Sequence, residues 1–193
     1  MMFDRMRRRW RNRFRVPEKY RCVYLGNDVL ILAIHGGRLE PGTSVLAREI
    51  MDLGGYSGYV VDWPNGRRHI PSDAILDDAL DAQLARAQYV VSIHGCRGRI
   101  PGAVVGGVDW ELRNAIRIRI NLAGFSTRNA VRYPALDGMN RLNVCNMGVT
   151  GEGVQLEISR GQRDDLLAGD LLMQRYAAAI HQGIEAVRAG GAT

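Results

Sequence analysis

Apolar residues in this chain occur in two patterns. Residues 29–34 are apolar throughout, and residues 89–93 are apolar except for Ser92. Short runs without alternation are expected of strands buried on both faces of a sheet. Between them the spacing changes to three and four. Ser72 is placed to cap a helix over residues 73–87, with Leu76, Leu80, Leu84 and Ala87 on one face. Thr43 or Ser44 can cap a helix running to about Leu53, ended by Gly54 and Gly55. Residues 164–188 read as one long amphipathic helix, with Leu167, Leu171, Ile180, Ile184 and Val187 as core positions. Residues 58–63 and 154–158 read as further strands. The stretch after Asp109 fits two templates. Asp109 can cap a helix ending near Gly124, yet Ile116, Ile118, Ile120 and Leu122 alternate with Arg117, Arg119 and Asn121 as in a strand. Strands alternating with helices define an α/β layered fold in a single domain; the strand order does not follow from the pattern.

Composition adds little to this until charge is placed along the chain. With 193 residues, 46% apolar and 24% charged, the chain has globular averages and room for a core. No apolar run reaches the roughly 18 residues of a membrane span. The net charge of +6 resides at the N-terminus, where residues 1–15 hold seven Arg and a single acid, Asp4; the remainder is balanced. Residues 1–16 thus read as a basic arm, closed by Pro17, and residues 17–193 as the folded domain. Met6, Trp10 and Phe14 fall four apart in that arm, which reads either as a disordered, solvated tail or as an amphipathic contact to nucleic acid or an anionic membrane. No apolar stretch follows the basic run, so a secretory signal is not expected. The expected location is the cytoplasm of the producing cell, with release on lysis. Cys22, Cys96 and Cys145 form no CxxC pair and read as reduced thiols.

The chemistry gathers where the two buried runs end. Each stops at a His followed by Gly: His35-Gly36-Gly37 and His94-Gly95. Ligands of open α/β sheets sit beyond the carboxyl ends of the strands. Glu40 follows His35 by five residues, and two glycines allow the turn that brings it back. His35, Glu40 and His94 make a His/Glu/His set, typical of a catalytic zinc shell with an open fourth position. Glu157 interrupts the mostly apolar strand 153–159 and is the candidate general base, because an acid there is costly unless it is paired or at a site. The alternative is a salt bridge to Arg160 or Arg163. Cys96 is an alternative fourth ligand, His69 could line the cleft, and His181 is expected at a surface or core edge. Arg38, Arg97, Arg99 and Arg160 lie beside these strings and point to an acidic substrate.

The sequence 35–44, His-Gly-Gly-Arg-Leu-Glu-Pro-Gly-Thr-Ser, resembles the HGGxxEPGTS signature of the phage poly-γ-glutamate hydrolase family. Residues 91–96, 106–109 and 153–160 resemble later blocks of that family in the same order, so the resemblance covers about residues 20–165. It implies a zinc carboxypeptidase-like fold with a central mixed sheet flanked by helices. It also implies His35, Glu40 and His94 as zinc ligands, Glu157 as the base, and cleavage of γ-glutamyl amide bonds in an acidic polymer. Arg38 stands where the pattern has a third Gly, Met147 where it has an Arg, and the Arg-rich arm lies outside it. Two other functions fit the same residues. One is a related zinc amidase acting on another acyl-glutamate or on peptidoglycan γ-glutamyl links. The other is a non-catalytic protein that binds nucleic acid or membrane through its arm.

Overall fold

The computed structural model describes residues 14–67 and 69–190. Residues 1–13 of the expected arm lie outside them. Residues 14–16 belong to the body: Phe14–Arg15 pair in parallel with Ile75–Leu76, and Val16 is buried. A seven-stranded sheet forms the centre. Its strands are β1 (Arg21–Tyr24), β2 (Val29–Gly37), β3 (Ser57–Trp63), β4 (Tyr89–Cys96), β5 (Ala103–Gly106), β6 (Thr127–Asn129) and β7 (Val154–Ser159), in the spatial order β1-β3-β2-β4-β7-β5-β6. Strands β3, β2, β4 and β7 are mutually parallel. β1 runs antiparallel to β3, β5 antiparallel to β7, and β6 parallel to β5, so the sheet is mixed. The fold is the expected single α/β domain.

Both faces of the sheet are covered, which is why β2 and β4 are apolar without alternation. Val29, Ile31, Ala33, Val91, Ile93, Leu156 and Ile158 face one layer, formed by α1 (Thr43–Gly54), α3 (Trp110–Leu122), α4 (Arg160–Ala168) and α5 (Asp170–Gly190). Leu30, Leu32, Ile34 and Val90 face the other, with Leu80 and Leu84 of α2 (Asp78–Leu84). Among the described residues no helix is long and apolar enough to cross a membrane.

Local chemistry explains the departures from the expected elements. The segment after Asp109 is the helical alternative: Asp109 accepts the Leu112 N–H at 2.9 Å, and Leu112, Ile116 and Ile120 are buried while Ile118 and Leu122 are exposed. The helix expected over 73–87 is only α2. Residues 75–76 extend into the short pairing with 14–15, and Asp77, not Ser72, caps the helix by accepting from Ala79 N and Leu80 N. The expected helix 164–188 is two helices, α4 and α5, separated at Gly169, whose backbone is extended. Gly42, at φ 94°, caps α1 in place of Thr43 or Ser44. Strands β1, β5 and β6 are short and carry no alternation signal long enough to read.

Asp77 ties α2 to the sheet. Both of its oxygens accept from Arg21 Nη1 at 2.6 Å, and the Tyr59 hydroxyl donates to it at 3.0 Å. Burial pushes the Asp77 carboxyl up, but the Arg21 and Tyr59 hydrogen bonds outweigh it and hold the pKa below the ordinary carboxylate value. A depressed carboxylate stabilises the fold above its unfolded-state pKa, and that contribution is lost as pH falls through the folded-state value. Asp77→Ala should cost about 2–4 kcal/mol in denaturant unfolding near neutral pH. The gap between wild type and variant should narrow below about pH 4.

Candidate metal centre and catalytic cleft

Strict alternation along β2 would put His35 on the same face as Val29, Ile31 and Ala33, against the helices. His94 has the parity of Val90 and Ser92 and faces the opposite way. The structure resolves this conflict with a register shift in β2. Against β3, Ala33 pairs with Val60 but Gly36 pairs with Asp62, so three steps on β2 match two on its neighbour. The extra residue is a bulge, a device that re-aims a side chain beside a site. It turns His35 onto the face of His94, and their Nδ1 atoms are 3.0 Å apart. Gly37 completes the turn at φ 67°, where an added Cβ would lie 2.5 Å from the Trp63 carbonyl oxygen. The chain then folds back through the Glu40 N–H, which donates to the His35 carbonyl at 2.9 Å.

Three buried groups now converge. Glu40 Oε1 is 3.1 Å from His35 Nδ1, and Glu40 Oε2 is 3.7 Å from His94 Nδ1. Oε2 also accepts the Gly95 N–H at 2.8 Å. His35 Nε2 donates to the Ile70 carbonyl at 2.7 Å, which fixes the tautomer and leaves a lone pair on Nδ1. Burial and the His35 ring push the His94 pKa down to about 3, so that imidazole is neutral. Burial opposes the charge of Glu40, but the two histidines and the Gly95 N–H hold its pKa below the ordinary value. His35 Nδ1 and the Glu40 carboxylate, both acceptors when the ring is neutral, meet His94 Nδ1 in a buried space, and His94 Nε2 is left without a hydrogen-bond partner. Acceptors so close repel one another unless a proton or a cation lies among them. His35, Glu40 and His94 form a group able to hold a metal ion, with ligand atoms all within 4.8 Å of one another.

Glu157 stands beside this centre. On β7 it pairs in register with His94 on β4, so the two side chains share a face one strand apart. Burial, and then the charge of Glu40, raise the Glu157 pKa to about 8, with Arg163 opposing. Gln155 Nε2 donates to Glu157 Oε1 at 3.0 Å, and Asn143 Nδ2 donates to Gln155 Oε1 at 2.7 Å. All these groups line a cleft of about 1110 Å³.

Of the four arginines expected around the site, Arg97 and Arg160 line the cleft. Arg160 also pairs with Asp164 at 2.6 Å. Arg38 and Arg99 are exposed and do not line it. The alternative salt bridge from Glu157 to Arg160 or Arg163 is not formed. His69 lines the cleft with its ring 4.2 Å from that of His35. His181 lies away from it, on the Tyr56 hydroxyl at 2.8 Å. Cys96 lines the cleft, but its thiol meets the Glu157 carbonyl at 3.6 Å and stands outside the ligand group. Met147, at the position expected to carry an Arg, packs against the core.

Arg163, expected only as an alternative ion-pair partner of Glu157, has a different role. Its guanidinium is buried and donates to three carbonyls: Ile158 at 3.1 Å, Pro41 at 2.8 Å and Cys96 at 3.3 Å. It joins the ends of β4 and β7 to the loop that carries Glu40. A Cβ on Gly95 would meet that guanidinium at 2.6 Å, so Gly95 makes room for the clamp. In sequence it is one arginine in a helix rich in charge.

The poly-γ-glutamate hydrolase family model matches residues 10–182, and the chain belongs to that family. It is 36% identical over 143 residues to the UPF0714 protein YmaC of Bacillus subtilis (strain 168), covering 72% of this chain and 60% of YmaC. A bacteriophage poly-γ-glutamate hydrolase structure matches with a TM-score of 0.80 and 28% identity, over 88% of this chain and 89% of that one. The zinc-free apo form of YndL matches with a TM-score of 0.77 and 26% identity, over 88% of this chain and 92% of that one. The chain spans 51–60% of the length of the curated relatives it matches.

A cation that binds only the folded centre stabilises it by an amount that grows with the logarithm of its concentration over Kd, about 2.7 kcal/mol at a hundredfold excess. Zinc added to chelator-treated protein should therefore raise Tm by several degrees. In His94→Ala the same addition should leave Tm unchanged.

Proposed function

We propose that this protein is a zinc-dependent hydrolase of γ-glutamyl amide bonds in poly-γ-glutamate. The observation that carries the reading is the convergence of His35, Glu40 and His94, with ligand atoms within 4.8 Å of one another, beside a second buried carboxylate, in an open cleft, in a chain of this family. His35, Glu40 and His94 would hold the metal, which when bound supplies Lewis acidity toward water and the scissile carbonyl.

The remaining steps belong to side chains. Glu157 takes a proton from the attacking water and returns it to the leaving amine. Its raised pKa suits both tasks, since the group must be charged to begin and neutral midway. Arg97 and Arg160, the two expected arginines that line the cleft, hold substrate carboxylates. That role does not extend to Arg38 and Arg99. The Arg-rich residues 1–13 are an accessory contact to nucleic acid or anionic membrane, so deleting them, and keeping the paired and buried residues 14–16, should leave hydrolysis intact and remove any salt-sensitive binding.

Glu157→Gln should keep zinc and lower kcat by roughly a hundredfold or more. The base must be ionised to act, so wild-type kcat/KM should fall as pH drops below about 8. A bound cation shields the Glu40 charge and moves that limb to lower pH. Glu157→Gln should lack this limb. A variant as active as wild type would exclude Glu157 as the base. A panel of γ-glutamyl polymer, acyl-glutamates and peptidoglycan fragments distinguishes the substrate from that of a related amidase.

A further inference from the structure

The amides behind Glu157 have a direction that can be read from a backbone group. Asn143 Oδ1 accepts the Cys145 N–H at 3.1 Å. A backbone N–H only donates, so the oxygen of Asn143 must face it, and Nδ2 is the atom left to face Gln155. Gln155 must then present Oε1 to Asn143, at 2.7 Å, and Nε2 to Glu157 Oε1, at 3.0 Å. All three side chains are buried, at 8%, 5% and 8% exposure, though they line the cleft, so little water reaches these bonds. Residues 155 and 157 share a strand face by alternation, and the 143–146 turn lies behind them.

We propose that Asn143 and Gln155 are positioning residues that select which oxygen of Glu157 handles the proton. This rests on Glu157 being the base. A carboxylic acid accepts hydrogen bonds better at its carbonyl oxygen than at its hydroxyl oxygen. The Gln155 N–H therefore keeps Oε1 as the carbonyl, and the proton goes to Oε2. In the forward step a water O–H bond breaks and its proton joins Oε2. When the C–N bond of the amide breaks, that proton moves to the amine nitrogen and Glu157 regains its charge. Neither amide touches the proton. Without them the carboxyl can turn and protonate on the oxygen facing away from the substrate.

The test combines steady-state kinetics on poly-γ-glutamate with carbon-13 NMR titration of the Glu157 carboxyl, which needs no substrate. Gln155→Leu removes the donor to the charged form. It should lower kcat roughly tenfold with KM within about twofold, and raise the Glu157 midpoint by about one unit. Asn143→Asp keeps the shape but offers Gln155 a second acceptor, which turns the Gln155 amide so that its oxygen faces Glu157. It should lose more kcat than Asn143→Ala, which only frees the amide. A merely structural role predicts the opposite order, because Asp preserves the packing. A Glu157 midpoint unmoved in Gln155→Leu, or Asn143→Asp as active as wild type, overturns the proposal while leaving the hydrolase reading intact. Wild type without cleavage, or Glu157→Gln with full turnover, overturns the base assignment and this inference with it. The isosteric Asn143→Asp keeps the question answerable should Gln155→Leu fail to fold.

Discussion

Two imidazoles and a carboxylate crowded into a buried space are unfavourable unless a proton or a cation lies among them. His35 Nδ1, His94 Nδ1 and a Glu40 oxygen occupy that arrangement here. The surrounding residues maintain it at some cost. The Ile70 carbonyl fixes the His35 tautomer, the Gly95 N–H holds one Glu40 oxygen, and burial keeps His94 neutral. Each of these favours a cation over a proton as the partner. The raised pKa of Glu157 belongs to the same electrostatic system, since the Glu40 charge is among its causes.

The fold brings these groups together through two devices. The bulge in β2 reverses the direction of His35 at the last possible residue, so that a fully buried strand still delivers a ligand to the cleft. Arg163 then joins the loop beside Glu40 to the ends of β4 and β7. A buried guanidinium is tolerated because each of its three nitrogens donates to a carbonyl. The sheet supplies the third element without any device, because the parallel register places Glu157 beside His94.

Much of this was legible in the chain, for physical reasons. The strands with buried faces on both sides showed themselves as apolar runs, and the His-Gly ends marked where ligands emerge. The three expected ligands do converge, and Glu157 does face them. What could not be read involves relations between distant residues. Alternation alone would have separated the two histidines, and no local signal announces a bulge. Asp77 captured α2 from Ser72 through a partner, Arg21, that lies 56 residues away. Arg38, Arg97 and Arg99 are all exposed and look alike in sequence, yet only Arg97 lines the cleft. The Gln155–Glu157 pair was in principle visible as a two-residue spacing on a strand, but Asn143 was not.

The central claim is that His35, Glu40 and His94 form a zinc site that drives cleavage of a γ-glutamyl polymer. The most direct measurement is zinc per chain in the purified protein, taken with the chain length of poly-γ-glutamate before and after chelation. The account predicts one zinc per chain and shortening of the polymer that stops on chelation and resumes when zinc is restored. Cleavage that continues undiminished in protein stripped of metal would contradict it.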